Sequence, residues 1–166
     1  MKKRLIIARG LPGSGKSTAV AEFRNKTAER LGVSHLWSSR VCSTDSYWLR
    51  PDGHYDFNMR RIGEAHAWNK ERAERYMAEE ILTSSDTVII DNTNITWKEI
   101  KPYVLLAKKY GYEVEVLEPD TSWRYDPIAC VGKTAHGVPL ETIKNMHSKW
   151  EPTSSIKGKI EEVLSA

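Results

Sequence analysis

Apolar residues along the chain follow two kinds of spacing. Continuous apolar runs cover residues 5–8 and 88–90, and apolar and polar residues alternate over residues 112–118. Continuous runs are typical of strands buried on both faces of a parallel sheet, whereas alternation indicates a strand with one face nearer water. Other stretches repeat their apolar positions at helical spacing. This succession predicts an α/β fold with a central parallel sheet flanked by helices.

Turn and capping residues set the expected ends of these elements. Strands are expected at residues 5–8, 36–43, 86–91 and 112–118, and helices at residues 19–31, 59–82, 96–111, 139–150 and 156–164. Gly32 and Gly111 are placed like helix C-cap glycines, and Thr96 opens a capping-box pattern. Residues 49–58, called the excursion below, and residues 119–139, called the lid segment, show little periodicity.

Composition narrows the class of protein. The chain has 166 residues, 40% of them hydrophobic and 28% charged, which fits one globular domain over residues 1–166 and no membrane association. The two cysteines, Cys42 and Cys130, lack metal-binding spacing, so we expect reduced thiols, a cytoplasmic protein and no structural metal. The net charge of +3 is compatible with an anionic partner, but mild basicity alone does not indicate nucleic acid.

A glycine-rich motif lies between the first predicted strand and the first predicted helix. It reads Gly10-Leu11-Pro12-Gly13-Ser14-Gly15-Lys16-Ser17-Thr18, the P-loop pattern of Gly, four residues, then Gly-Lys-Ser. The glycines let backbone N–H groups approach a phosphate, and the helix start favours the same anion. Lys16 can reach the β- and γ-phosphates, and the Ser17 hydroxyl can ligate Mg²⁺. We therefore expect this loop to bind a nucleotide together with Mg²⁺. The expected nucleotide-binding residues here are Gly10, Pro12, Gly13, Ser14, Gly15, Lys16, Ser17 and Thr18.

Two aspartates follow predicted strands and are candidates for the chemistry. Ligands of open parallel sheets bind beyond the carboxyl ends of the strands, where both Asp45 and Asp91 fall. Asp45 is our candidate general base for an acceptor hydroxyl, the alternative being a turn-capping aspartate. Asp91, with Ser17, is the candidate support of Mg²⁺, and plain turn chemistry is again the alternative.

Cations and histidines supply further candidates. Arg124 and Lys133 of the lid segment can neutralise charge on the transferred phosphoryl group, unless they are simply solvated. Arg124 is also expected to bind the nucleotide. His66 and Asn69 lie about one helical turn apart and can meet a loop or the acceptor. His136 is left open between a lid contact and loop packing.

Several segments together resemble a known family. They are the P-loop, residues 43–47, 65–69 and 88–94, Trp97 with residues 102–103, residues 107–114, residues 118–121 with Trp123, and residues 136–139. In this order they resemble the polynucleotide kinase-like P-loop kinases over nearly the whole chain. The broader family includes phage-encoded kinases that act on modified DNA.

The resemblance implies a function and site residues. The implied reaction is ATP- and Mg²⁺-dependent transfer of the γ-phosphate to a hydroxyl, typically the 5′-OH of DNA or RNA. Asp45 matches the family's general base, and residues 92–94 match the loop beside the acceptor. We therefore expect Asp45, Lys16 and Lys133 to be catalytic. The expected acceptor-binding residues are Tyr47, Trp48, Asn92 and Asn94.

Two departures from the family pattern keep other acceptors open. Trp48 stands where phage polynucleotide kinase has an arginine that holds the acceptor strand, which exchanges a phosphate clamp for a stacking face. Lys133 stands where related domains have arginine, which loses bidentate geometry. The alternatives are a kinase of a hydroxymethyl pyrimidine in DNA, such as 5-hydroxymethyluracil, a small-molecule or nucleoside kinase, and a non-catalytic ATP-dependent binding module.

Overall fold

The structure is a computed structural model and describes residues 2–34, 39–78 and 86–166. Its strands are β1 (Arg4–Ala8), β2 (Arg40–Cys42), β3 (Thr87–Asp91) and β4 (Glu113–Leu117). Its helices are α1 (Lys16–Leu31), α2 (Asp45–Trp48), α3 (Ile62–Met77), α4 (Trp97–Tyr110), α5 (Pro127–Val131), α6 (Leu140–Ser148) and α7 (Thr153–Ser165), with a 3-10 turn at Met59–Arg61 before α3.

The four strands form one parallel sheet in the order β2-β3-β1-β4. Leu5 of β1 lies opposite Val88 of β3 and Val114 of β4. The two inner strands carry the continuous apolar runs, because both of their faces are covered by helices. This architecture confirms the α/β fold with a central parallel sheet. It also brings the chain that follows β1, β2 and β3 to one edge of the sheet.

The core divides between the two faces of the sheet. On one face, β1 and β3 side chains such as Leu5 and Ile90 pack with residues of α3, α4 and α7. On the other face, Ile6 and Ile89 pack with Val20 of α1. A third cluster holds Leu11 of the P-loop against Cys130 of α5, Ile143 of α6 and Ile95. The lid segment is therefore packed directly against the P-loop.

Helix ends follow the predicted capping chemistry. The Thr96–Glu99 capping box is formed, and Gly32 and Gly111 end their helices in the left-handed conformation at φ 66° and 74°. The first helix begins at Lys16, inside the glycine-rich motif, rather than at residue 19.

Two short helices were not expected, and two predicted elements extend beyond the described residues. Helices α2 and α5 have four and five residues, too few to show a helical period. The Asp126 carboxylate accepts hydrogen bonds from the N–H groups of Ile128 and Ala129 and so caps α5. Residues 36–38 of the second predicted strand and residues 79–82 of the second predicted helix lie outside the described residues.

Arg9 joins the end of β1 to the C-terminal part of the chain. Its side chain is fully buried and donates to the carbonyls of Asn94, Ile95 and Glu151 and to the Thr153 hydroxyl, all at 2.8–3.0 Å. The guanidinium also lies 4.0 Å from the centre of the Trp150 ring. Arg9 thereby holds the start of α7 against the strand that leads into the P-loop. None of the helices in the described ranges is long and apolar enough to cross a bilayer.

Candidate active site

The P-loop connects β1 to α1 in a conformation that depends on glycine. Gly13 and Gly15 have φ of 79° and 101°, a region that other residues rarely adopt. Gly15 is the N-cap of α1, which has no side-chain cap and no acidic residue in its first turn. The first N–H groups of the helix are therefore uncapped and add to a positive helix end, which together suit an anion.

The lid segment holds the P-loop from one side. The Thr121 hydroxyl donates to the Ser14 carbonyl at 2.6 Å, and the Trp123 indole N–H donates to the Gly13 carbonyl at 3.1 Å. A Cβ placed on Gly13 would lie 2.1 Å from the Cys130 carbonyl oxygen, and one on Gly15 would lie 2.8 Å from Thr121 Cγ2. These glycines are thus required by their packing against the lid segment as well as by their backbone conformation.

The donor set of the loop fits a nucleotide phosphate. Ser14 is buried, and its hydroxyl has no hydrogen-bond partner among residues 2–34, 39–78 and 86–166. A buried polar group without a partner is costly and calls for an acceptor or donor. Together with the uncapped N–H groups and Lys16, this hydroxyl suits an anion rather than an apolar ligand.

Lys16 and Asp91 form the closest charged pair of the site. Lys16 Nζ lies 2.5 Å from Asp91 Oδ1, and both side chains are 19% exposed. Asp91 ends β3, and Ser17 lies exposed in the first turn of α1. Carboxylate and hydroxyl oxygens are donors that Mg²⁺ accepts alongside phosphate oxygens and water. The described ranges hold no cluster of three or more ionisable metal ligands, so these two residues would hold the ion only together with the phosphates.

Asp45 stands at the beginning of α2, just beyond the end of β2, and is fixed through its neighbours. The Thr44 N–H and hydroxyl both donate to Asn92 Oδ1 at 3.0 Å, and the Asp45 N–H donates to the Ser43 hydroxyl at 3.2 Å. Asn92 directly follows Asp91, and Thr44 directly precedes Asp45. The contact between Asn92 and Thr44 therefore connects the Lys16–Asp91 pair to the residue that carries the Asp45 carboxylate. The Asp45 side chain is exposed and accepts a hydrogen bond from the Tyr55 hydroxyl at 3.0 Å.

Tyr55 belongs to the excursion, which turns back on itself as a short hairpin. Leu49 pairs with Tyr55 in an antiparallel bridge, and the Arg50 N–H donates to the His54 carbonyl at 2.8 Å. Burial, followed by the nearby Asp45 carboxylate, raises the pKa of Tyr55 well above its usual value. The phenol is protonated at neutral pH, as an ordinary tyrosine is, and the raised pKa keeps it a donor at higher pH than usual. Sequence reasoning missed Tyr55, because no local pattern marks a loop tyrosine that meets a residue ten positions earlier.

The four predicted acceptor residues fall into two groups. Tyr47 and Asn92 are partly exposed, whereas Trp48 and Asn94 are 4% and 1% exposed. Trp48 is covered by Tyr47 and Phe57, with ring centres 4.9 and 5.3 Å away, so it does not present the expected stacking face. The cause is the hairpin of the excursion, which folds over the indole.

Asn94 ties strand ends together. Its side-chain amide donates to the Ala8 carbonyl at 2.6 Å and to the Ile90 carbonyl at 3.3 Å, and its backbone has a φ of 48°. The amide N–H groups are thus committed to the backbone of β1 and β3. In this structure Asn94 shapes the loop from within instead of facing an acceptor.

Tyr47 is surrounded by polar partners. Its hydroxyl donates to Glu64 Oε2 and accepts from Arg61, both at 2.9 Å. Tyr47 and Trp48 line a cavity of about 300 Å³ together with Arg50, Asp56 and Arg61. This cavity opens on the α2 side of the site, next to Asp45.

The lid cations lie on aromatic rings. Lys133 is exposed, with Nζ 5.1 Å from the centre of the Trp123 ring. Arg124 donates to the Thr121 carbonyl at 2.8 Å and lies 4.9 Å from the centre of the Tyr125 ring. Both cations are thus carried by the segment that packs on the P-loop.

The histidines and Asn69 also find defined places. His136 stacks on Tyr55, with ring centres 4.2 Å apart and planes 2° apart. His66 is exposed on α3, whereas Asn69 is buried and donates to the Cys42 carbonyl and the Tyr103 hydroxyl. Asn69 therefore fastens α3 to the end of β2 and does not reach the surface.

The fold and the site define a class of protein. A P-loop that opens the helix after an inner strand, in a parallel sheet with an aspartate at the end of the adjacent strand, is the P-loop NTPase/kinase fold. The chain belongs to the AAA domain family, which its residues 5–153 match.

Several known proteins are similar to this chain over part of their length. Human NEDD4-binding protein 2 is 36% identical over 167 residues, covering 96% of this chain and 9% of that protein. Rat 2′,3′-cyclic-nucleotide 3′-phosphodiesterase is 29% identical over 150 residues, covering 87% of this chain and 30% of that protein. The mouse protein of the same name is 31% identical over 124 residues, covering 75% of this chain and 26% of that protein. The chain thus spans less than a third of each relative.

Proposed function

We propose that this chain is an ATP- and Mg²⁺-dependent kinase that transfers the γ-phosphate to a hydroxyl of nucleic acid, with the 5′-OH as first acceptor. The observation that carries the proposal is the short series of contacts from Lys16 to Asp91, on to Asn92, and through Thr44 to Asp45. A phosphate-binding lysine and an exposed carboxylate are thereby built into one edge of the sheet. A kinase needs such a pair, because it must bind phosphates and take a proton from the acceptor.

Each residue has a stated role in the proposed reaction. Lys16 and the first turn of α1 bind the β- and γ-phosphates. Ser17 and Asp91 would hold Mg²⁺, which would offset charge on the phosphate oxygens. Asp45 accepts the proton of the acceptor hydroxyl. At the same time the hydroxyl oxygen bonds to the γ-phosphorus, and the bond between that phosphorus and the oxygen bridging to the β-phosphate breaks. Lys133 and Arg124 stabilise the charge that spreads over the transferred group.

The relatives support a nucleotide substrate in general terms. The rat relative is named for action on 2′,3′-cyclic nucleotides, so a protein similar to this chain acts on a nucleotide. The human relative is named for binding another protein, which keeps a non-catalytic binding module as the competing class. The choice of a 5′-OH rests on the family resemblance, and of the expected acceptor residues Tyr47 and Asn92 have exposed surface to serve it.

The structure weakens one argument for a modified base as the acceptor. Recognition of a flipped hydroxymethyl pyrimidine was expected to use Trp48 and Tyr47 as stacking rings; Trp48 is 4% exposed, whereas Tyr47 is partly exposed. Base stacking requires an open aromatic face. This acceptor is therefore kept as an outcome of the test.

The test follows label from γ-labelled ATP into a panel of acceptors. The panel contains 5′-OH DNA and RNA, 5′-blocked DNA with hydroxymethyl pyrimidines, and free nucleosides. Asp45→Asn is expected to lower kcat at least about 100-fold while ATP affinity changes less than about twofold. Glu161→Gln, which alters an exposed carboxylate on α7, controls for a lost surface charge and should retain full transfer.

The outcomes distinguish the proposed 5′-OH kinase from a kinase with another acceptor and from a binding module. Label on unmodified 5′-OH ends that depends on Asp45 supports the proposal. Label restricted to blocked, modified DNA or to nucleosides replaces the proposed acceptor. No label on any acceptor overturns the kinase in favour of a binding module.

A further inference from the structure

We propose that Tyr55 is a positioning residue that orients the Asp45 carboxylate, and that His136 of the lid segment holds Tyr55 in place. The inference rests on the proposed function, in which Asp45 is the base, and adds two residues that the sequence did not assign to the reaction. It also links the base to the lid segment.

The first step is the contact between Tyr55 and Asp45. Tyr55 donates its hydroxyl proton to Asp45 Oδ1 at 3.0 Å. Among residues 2–34, 39–78 and 86–166, no other side chain donates to this carboxylate. An exposed aspartate otherwise rotates freely between rotamers. The phenol therefore fixes the carboxylate by one oxygen and leaves Oδ2 to meet an acceptor hydroxyl.

The second step is the way Tyr55 is itself held. On its backbone side, the bridge to Leu49 keeps it in the hairpin of the excursion. On its ring side, His136 stacks at 4.2 Å with planes 2° apart. The Tyr55 side chain thus has a fixed direction, and its phenol remains protonated because its pKa is raised by burial and by Asp45.

The third step concerns the origin of His136. It lies between α5 and α6, three residues after the lid cation Lys133. Tyr55 of the excursion and His136 of the lid segment are about 80 positions apart in the chain, yet their rings stack face to face. The lid segment thus supplies the ring against which Tyr55, and through it the Asp45 carboxylate, is oriented.

The expected size of the effect follows from geometry. Misplacing a catalytic group by about 1 Å can lower a rate about 100-fold. Removing one hydrogen bond leaves the carboxylate mobile but present, so Tyr55→Phe is expected to lower kcat about 10- to 100-fold. The KM for ATP should remain within about twofold, because Tyr55 has no role in phosphate binding.

The experiment compares tyrosine and histidine variants on the acceptor that the native chain labels best. Tyr55→Phe keeps the ring and the stack but removes the hydroxyl. Tyr110→Phe is the matched control, since its hydroxyl donates to Glu74 at 2.8 Å on the helical surface formed by α3 and α4. His136→Phe should preserve kcat through stacking, whereas His136→Ala should lower it. Thermal unfolding of each variant excludes a general loss of fold.

A double variant separates positioning from any direct role. If Tyr55 acts through Asp45, adding Tyr55→Phe to Asp45→Asn should change kcat less than about twofold. A further tenfold loss in the double variant would overturn the inference, as would a Tyr55→Phe enzyme as fast as the native chain. Loss of transfer in Asp45→Asn with a fully active Tyr55→Phe refutes only the positioning role. Full transfer in Asp45→Asn, or no transfer by the native chain, refutes the proposed function itself.

Discussion

At the scale of single residues, the Lys16–Asp91 ion pair is the contact that a bound nucleotide would disturb. Both side chains are 19% exposed, and each provides the other's countercharge at 2.5 Å. The two charges attract each other more strongly than they would in bulk water, because their partly buried surroundings screen charge less. In the proposed nucleotide complex, phosphate oxygens would compete with Asp91 for Lys16.

Lys16→Ala is expected to weaken ATP binding at least about tenfold, or about 1.4 kcal/mol. The variant removes the one lysine of the P-loop and leaves the backbone donors of the loop intact. Isothermal titration calorimetry measures the change. Lys26→Ala, on an exposed position of the same helix, should bind ATP like the native chain. Equal affinities for both variants would remove Lys16 from the phosphate site.

The site residues that the sequence predicted are those defined by local order. Lys16 and Ser17 belong to a contiguous motif, and Asp45 and Asp91 follow strands whose ends meet at one edge. Local sequence order does not predict Tyr55 and His136, because their proposed roles depend on a contact between two loops that are distant in the chain. Trp48 and Asn94 show the reverse difficulty. A sequence gives their type and order but not their burial, which is decided by the hairpin and by the strand ends.

At the scale of elements, the packing of the lid segment against the P-loop explains its glycines. Gly13→Ala would put a Cβ 2.1 Å from the Cys130 carbonyl oxygen at a φ of 79°. A clash with backbone, added to left-handed strain, is expected to cost about 3 kcal/mol or more. Chemical denaturation measures this loss, and a Gly13→Ala chain as stable as the native one would contradict the docking of α5 on the loop.

Gly158 gives the opposite expectation within α7. A Cβ there has nothing within 4 Å, and the residue lies inside a regular helix. Gly158→Ala should therefore raise the free energy of unfolding by about 0.5–1 kcal/mol. The same denaturation series tests it, and a destabilised variant would show that α7 has a neighbour at this position.

The sequence predicted best those strands and helices whose apolar residues follow a regular spacing or whose ends carry capping residues. The continuous runs became β1 and β3, and the capping signals placed both ends of α4. Helices α2 and α5 could not be predicted from period, because they are shorter than two turns. The Asp126 cap and the packing of Cys130 against Leu11 of the P-loop determine α5 instead.

At the scale of the whole molecule, Arg9 binds the two ends of the described chain together. Arg9→Met would leave the carbonyls of Asn94, Ile95 and Glu151 without this donor. Buried acceptors that lose a charged donor are costly, so unfolding should become easier by about 3 kcal/mol or more. Arg60→Met, at an exposed position, should change stability by less than about 0.5 kcal/mol. A stable Arg9→Met chain in thermal unfolding would contradict this role.

The stability of the fold should also fall in alkali because of a buried thiol. Burial raises the pKa of Cys42 from its ordinary 9.0 to about 11, although Arg72 acts in the opposite direction. Between these values the unfolded chain releases the thiol proton while the folded chain keeps it. Stability is therefore unaffected below about pH 9 and declines up to about pH 11, by about 2 to 3 kcal/mol in total.

Cys42→Ala tests this dependence by its slope. The variant should unfold more easily at neutral pH, because a cavity replaces the thiol, but should lose less stability between pH 9 and pH 11. Urea unfolding at several pH values measures both quantities. Cys130, whose pKa is also raised by burial, remains in both proteins, so some decline persists. Identical slopes for the two proteins would exclude Cys42 as a cause.

The two hydrogen bonds that Thr121 and Trp123 donate to the P-loop carbonyls have a kinetic consequence. A loop fastened in this way enters the encounter with nucleotide already shaped, so little conformational entropy is surrendered on association. Capture should therefore be a single fast phase whose rate rises linearly with nucleotide concentration, without a slower ordering step. Residence time, in turn, will be governed by how long Lys16 stays away from Asp91.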